Sequence, residues 1–152
     1  MRKINFYLVL LIILLSACDY KPIYSKKNIN FSIKEINTKN QNRLSTELKN
    51  NLKIYFTKIN IEKNYVLNVE SKEIKKITSK DTLGNAKTHS LEIIIKLKVF
   101  QNKKVIADKK FTEIFNYNTQ ENKFNLSQYE KNISTNLINK ITENIIIYLT
   151  SI

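Results

Sequence analysis

The clearest pattern in the chain lies between residues 91 and 99, where Leu91, Ile93, Ile95, Leu97 and Val99 alternate with Glu92, Lys96 and Lys98. A period of two sets those apolar side chains on one face of a strand and leaves a polar opposite face. Tyr65, Leu67 and Val69 alternate with Asn64, Asn68 and Glu70 in the same way, and Gly84-Asn85 marks a turn between the two runs. After the polar turn Asn102-Lys103, residues 105 to 117 continue the pattern less cleanly through Val105, Ala107, Phe111 and Phe115. Links this short permit hairpins and forbid parallel crossovers, so the three runs form an antiparallel meander. A further strand is expected over about 29 to 36, where Ile29, Phe31 and Ile33 alternate with Asn30, Ser32 and Lys34.

Two segments carry the helical period instead. Leu44, Leu48, Leu52 and Tyr55 recur on one side, with Glu47, Lys49, Asn50 and Lys53 on the other. This predicts an amphipathic helix over about 41 to 57, capped by Asn40 or Asn42. Tyr129, Ile133, Leu137, Ile141, Ile145 and Leu149 repeat every fourth residue, and Ser127-Gln128-Tyr129-Glu130 before them reads as a capping box. A second helix to about 150 follows. Its apolar run from Ile145 to Leu149 is far shorter than the about 20 residues a membrane span needs, so core packing is the expectation. The order is β-α-β-β-β-α. Two amphipathic helices packed on one face of a mostly antiparallel four-stranded sheet make a two-layer α+β domain over residues 29–152.

The N-terminus has a different character. Arg2 and Lys3 precede an apolar run from Phe6 to Leu15, then Ser16, Ala17 and Cys18. A charged start, a short apolar middle and small residues before a cleavage point describe an export signal over residues 1–17. Leu15-Ser16-Ala17-Cys18 resembles the lipobox of bacterial lipoproteins, which implies N-acyl and S-diacylglycerol lipid on Cys18, the mature N-terminus. Lipidation also accounts for a lone cysteine in an exported chain. Residues 18–28 are then a tether, and the acyl chains hold the protein to a leaflet without crossing it.

Composition changes the list of partners. The formal net charge is +13, and loss of Arg2 and Lys3 with the leader lowers it by two to +11. Such a balance favours anionic partners. Export removes nucleic acid from the list and leaves anionic lipid, lipopolysaccharide or an acidic protein surface. Lys and Asn are abundant everywhere, a bias that AT-rich codons produce without selection on function.

Catalytic chemistry finds little support. The one histidine, His89, has no cysteine or histidine cluster to form a zinc site with, and one glycine cannot build a phosphate loop. Glu70 and Glu73 form a carboxylate pair by sequence that reads as solvated. The expectation is no enzyme, no metal and no cofactor beyond the covalent lipid.

The segment Cys18-Asp19-Tyr20-Lys21-Pro22-Ile23-Tyr24 resembles the mature start of the outer-membrane lipopolysaccharide-assembly lipoproteins, the LptE family, through Tyr20, Lys21, Pro22, Ile23 and Tyr24. The resemblance implies the same β-α-β-β-β-α fold and a non-enzymatic role. Its partner would be the large LptD-like β-barrel translocon, which it plugs and helps assemble, and it would contact lipopolysaccharide on the way to the outer leaflet. Alignment by element with that family carries lipopolysaccharide contacts to Lys80 and Lys123, with Lys76 as a nearby third position. Asp19 departs from the pattern: in enteric bacteria an Asp there tends to retain a lipoprotein in the inner membrane, so both membranes remain open. The alternative role is an accessory or scaffold subunit of another envelope transporter or secretion system.

Overall fold

A computed structural model describes residues 29–56 and 63–152; the leader, Cys18 and the tether lie outside the described residues. Four strands form one sheet in the order β1 (Phe31–Thr38), β2 (Lys63–Lys80), β3 (Ala86–Gln101), β4 (Lys104–Asn118). Helix α1 (Arg43–Leu52) joins β1 to β2, ending in a 3-10 turn at Lys53–Tyr55, and helix α2 (Lys123–Ser151) closes the chain. The architecture is the expected two-layer α+β domain.

β1 and β2 are parallel, as a crossover through a helix requires, while β2, β3 and β4 form the antiparallel meander. The register aligns Val69 with Leu97, Leu67 with Val99 and Ile95 with Phe111, so the odd-numbered apolar residues of the meander share one face. Leu91, Ile93, Ile95, Leu97 and Val99 are fully buried there. From α1 they meet Leu44, Leu48 and Leu52, and from α2 Ile133, Leu137, Ile138, Ile141, Ile145 and Leu149. Burying one such side chain stabilises the fold by roughly 1.5–3 kcal/mol, which is why both amphipathic helices share this face. The helices also touch each other, with Asn51 Nδ2 donating to Asn139 Oδ1 at 2.8 Å. Ile145 and Leu149 belong to the core, and no described helix is long and apolar enough to cross a membrane.

Three local expectations change. α1 is shorter than 41–57 because the chain tightens into the 3-10 turn at Lys53, which leaves Tyr55 stacked on Phe31 at 5.6 Å. Its cap is Asn42, in a reciprocal capping box with Ser45. α2 begins earlier than Ser127: the Asn122 side chain accepts the N–H groups of Phe124 and Asn125, so Ser127 already lies inside the helix and caps nothing. Glu130 is drawn instead toward the sheet. β2 runs to Lys80, well past its apolar stretch, because β3 supplies backbone partners as far as Ala86.

These elements give the domain two ends. β1 and β2 start at one end with the β3–β4 turn and the C-terminus of α2, where Lys63 Nζ donates to the Ile152 carbonyl at 3.0 Å. The β2–β3 turn, the end of β4 and the start of α2 form the other, called the tip below.

Candidate ligand-contact surface

At the tip the β2–β3 turn is organised by one carboxylate. Asp81 Oδ1 accepts the N–H of Leu83 at 2.9 Å and of Asn85 at 2.8 Å, and Oδ2 accepts Asn85 Nδ2 at 3.1 Å. Hydrogen bonds from Asn85, backbone first, then from Leu83 and Gly84, hold the Asp81 carboxyl below its ordinary value. Gly84, at φ +86, supplies the left-handed residue this turn needs. Leu83 stands 85% exposed on the turn.

Behind the turn, β2, β4 and α2 are joined by a polar cluster. Tyr117 Oη donates to Glu130 Oε1 at 2.6 Å, and Lys75 Nζ donates to Glu130 Oε2 at 2.6 Å. Burial pushes the Glu130 carboxyl up, but donation from Lys75 and Tyr117 outweighs it, and the group lies below its ordinary value. Burial first, then bonding to Glu130, pushes the Tyr117 hydroxyl above its ordinary value. His89 stacks on Tyr117 with ring centres 5.3 Å apart, and its Nε2 lies 2.8 Å from Thr119 Oγ1. Tyr129 meets Tyr117 edge-on at 6.0 Å. A second seam lies deeper, where Arg43 bonds Glu47, Glu73 and Ser134, and Ser134 Oγ donates to Glu73 at 3.0 Å. The carboxylates Glu47, Glu73 and Glu130 each meet a cation here, so the cluster braces the tip.

Lys76, Lys80 and Lys123 all lie toward this end, the first two on β2 and the third on α2. Lys76 is on β2 opposite Ser90, Lys80 is the last residue of β2, and Lys123 is the first of α2. All three are exposed, and none forms an ion pair or hydrogen bond among the described residues. No described cavity gathers them; the hollow at the tip, about 430 Å³, is lined by Thr78, Thr88, Asn116, Tyr117, Asn118 and Tyr129.

The sheet face turned away from the helices carries Asn68, Glu70, Lys72, Lys96, Lys98 and Lys110. Glu70 lies there 3.4 Å from Lys39 and 3.8 Å from Lys96, while Glu73 is on the helix side, so the two carboxylates never meet. Two open hollows indent this face, of about 580 Å³ beside Glu70 and about 1020 Å³ nearer the β3–β4 turn. Among the described residues no three His, Cys, Asp or Glu are grouped as a metal site.

The sequence matches no protein-family model and no curated protein. The fold has counterparts among solved structures. It is similar to rare lipoprotein B from Shewanella oneidensis, at TM-score 0.63 and 12% identity over 79% of this chain and 95% of that one. A minor lipoprotein from Acinetobacter baumannii superposes at TM-score 0.61 and 14% identity, over 80% and 92% of the two chains. Uncharacterized lipoprotein B from Nitrosomonas europaea gives 0.56 and 10%, over 76% and 80%. The class defined is thus an α+β domain with the fold seen in bacterial lipoproteins.

Proposed function

We propose that this chain is a non-enzymatic outer-membrane lipoprotein, lipidated at Cys18, that plugs and helps assemble a β-barrel lipopolysaccharide translocon and contacts lipopolysaccharide during its delivery. One coincidence carries the reading. A domain whose fold recurs in structures named as lipoproteins follows a lipobox and the run Tyr20-Lys21-Pro22-Ile23-Tyr24. The absence of ion pairs at Lys76, Lys80 and Lys123 supports an anion-contact role, since their charge is not already neutralised within the described domain. The reading as an accessory subunit of another envelope system is favoured by Asp19 alone.

Co-purification from solubilised membranes tests the partner. A stoichiometric complex with a large β-barrel is expected; recovery with an inner-membrane transporter would favour the accessory reading. Lys80→Glu with Lys123→Glu tests the ligand. A basic residue near an anionic lipid surface contributes about 1 kcal/mol, so the pair should weaken lipopolysaccharide binding by at least about tenfold, and less at high salt. Lys140 pairs with Glu113 at 2.8 Å and is unsuitable as a control. Lys49→Glu with Lys53→Glu makes the same charge change away from the tip. Equal losses from both pairs would mean that only bulk charge matters.

A further inference from the structure

The end of the domain opposite the tip has a composition that the translocon reading does not use. The β3–β4 connection is a two-residue turn in which Asn102 and Lys103 both have positive φ, at 50° and 65°. Asn tolerates this conformation; Lys does so at a steric cost that glycine avoids. Lys104 follows, and both lysines are exposed. Beside them Val105 is 55% and Ile106 42% exposed, so two aliphatic side chains project next to two cations. The larger open hollow adjoins this turn, with Val66, Phe100 and Phe56 in its lining and Lys34 and Lys103 among its polar residues. An apolar patch flanked by lysines suits the boundary between acyl chains and acidic headgroups, where the apolar groups insert and the cations meet phosphates.

The tip offers exposed apolar and basic groups too, and the position of the anchor decides between the ends. β1 begins at Phe31, in register with Lys63, and Val66 and Val105 flank Phe100 across the sheet. The tether therefore enters the domain at the β3–β4 end. Residues 18–28 reach at most roughly 40 Å when fully extended, at about 3.3–3.6 Å per residue. β2 is 18 residues long and spans about 60 Å at about 3.3 Å per residue. A lipid on Cys18 thus holds the β3–β4 end within reach of the leaflet, whereas the tip lies a full β2 length further along the domain.

We propose that the β3–β4 turn end, through Val105 and Ile106 inserted beside Lys103 and Lys104, docks on the anionic leaflet that holds the protein's own lipid anchor. The proposal rests on lipidation of Cys18 and is independent of the barrel partner. Docking fixes the orientation of the domain on the membrane, which a lipid anchor alone does not.

The test uses the lipidated full-length mature chain in nanodiscs of phosphatidylcholine with or without phosphatidylglycerol. Acylation leaves Cys18 unreactive, so a cysteine introduced as Ile106→Cys or Leu83→Cys carries a single environment-sensitive fluorophore. Spin-labelled lipids should quench the probe at 106 severalfold more than the probe at 83, and only in anionic discs. Lys103→Gly relieves the backbone while removing the charge; combined with Lys104→Gln it should lower the docking equilibrium by about thirtyfold and return the signal at 106 to that at 83. Equal quenching at both positions, or quenching at 106 that ignores lipid charge and the two substitutions, would overturn the proposal. A thiol dye that reacts with Cys18 before any cysteine is introduced would overturn the anchor itself and the proposal with it. An acylated Cys18 with an unquenched probe at 106 overturns the docking alone.

Discussion

Replacing Asn42 with alanine should cost far more than a surface helix cap usually does, because one amide oxygen serves two donors on different elements. Asn42 Oδ1 accepts the Ser45 backbone N–H at 2.9 Å and the Ser71 hydroxyl at 2.8 Å, while the Ser45 hydroxyl donates to the Asn40 carbonyl at 2.6 Å. Asn40 adds a second clasp, donating to the Ser71 carbonyl at 2.7 Å and accepting the Ser71 N–H at 3.2 Å. Together they fasten the β1–α1 connection to the middle of β2. Losing a cap costs about 1 kcal/mol. Ser71 is 2% exposed, so stranding its hydroxyl adds a desolvation cost of about 1–3 kcal/mol. The sum, about 2–4 kcal/mol, is a large share of the roughly 5–15 kcal/mol that holds a domain folded.

A double-mutant cycle in urea, followed by far-UV circular dichroism, separates the two contributions. Ser71→Ala alone should cost about 0.5–1.5 kcal/mol, since it removes the donor and leaves Asn42 capped by Ser45. Asn42→Ala in that background no longer strands a hydroxyl, so the double mutant should be at least about 1 kcal/mol more stable than the two single costs imply. Asn42→Asp keeps the acceptor and should stay close to wild type. Additivity within about 0.5 kcal/mol, or an Asp variant as damaged as the Ala variant, would refute the shared-acceptor argument.

Other outcomes follow from the same geometry. Cys18→Ala should abolish metabolic labelling by an alkyne fatty acid and release the chain from membranes with its circular dichroism unchanged; equal labelling of wild type and mutant would sink the lipoprotein reading. Glu130 has a depressed carboxyl in the fold, so its contribution is present above the unfolded value of about 4.3 and is lost as pH falls through the folded value. Acid titration of stability should therefore flatten in Glu130→Gln, and an unchanged acid limb would remove Glu130 from the account. Asp81→Ala should speed amide hydrogen exchange at Leu83 and Asn85 while leaving the β3 core protected, because Asp81 holds both N–H groups.

The parts of the fold legible in the sequence were those where burial enforces a period. β3 announced itself because its odd residues from Leu91 to Val99 are all inside, and α2 because Ile133, Leu137, Ile141, Ile145 and Leu149 all face the core. The second half of β2 was not legible: Lys72, Glu73, Lys75 and Lys76 keep no apolar alternation, and the strand persists there on backbone pairing with β3. The start of α2 was misplaced for a related reason. Its first turn overruns the core, leaving Phe124 68% exposed, so the apolar period fades and the cap at Asn122 has no buried residue to mark it. The brace of Lys75, Tyr117 and Glu130 left one trace, a pair of charged residues, Glu73 and Lys75, on what should be the apolar face of β2. Lys76, Lys80 and Lys123 had no distinguishing pattern in a chain this rich in lysine.

The sheet outrunning its helices gives the two proposals a common physical basis. Near the tether, packed aliphatic side chains set the structure; toward the tip, hydrogen bonds and ion pairs among Lys75, Glu130, Tyr117 and Asp81 take over. A polar brace suits an end that must remain in water or in a polar lumen, because hydrogen bonds and ion pairs hold its shape while Leu83 and Phe124 stay exposed. β2 spans about 60 Å, more than the about 40–45 Å of a bilayer with its headgroups. If the β3–β4 end rests on the leaflet that holds the anchor and the domain stands inside a barrel, a strand of that length carries Lys80 past the opposite headgroups. A basic tip is useful there to the lipopolysaccharide-contact role proposed above, and a tip of the same charge lying flat on the inner leaflet would be held by the wrong lipids. Docking at the other end, with the strand axis upright, removes that competition.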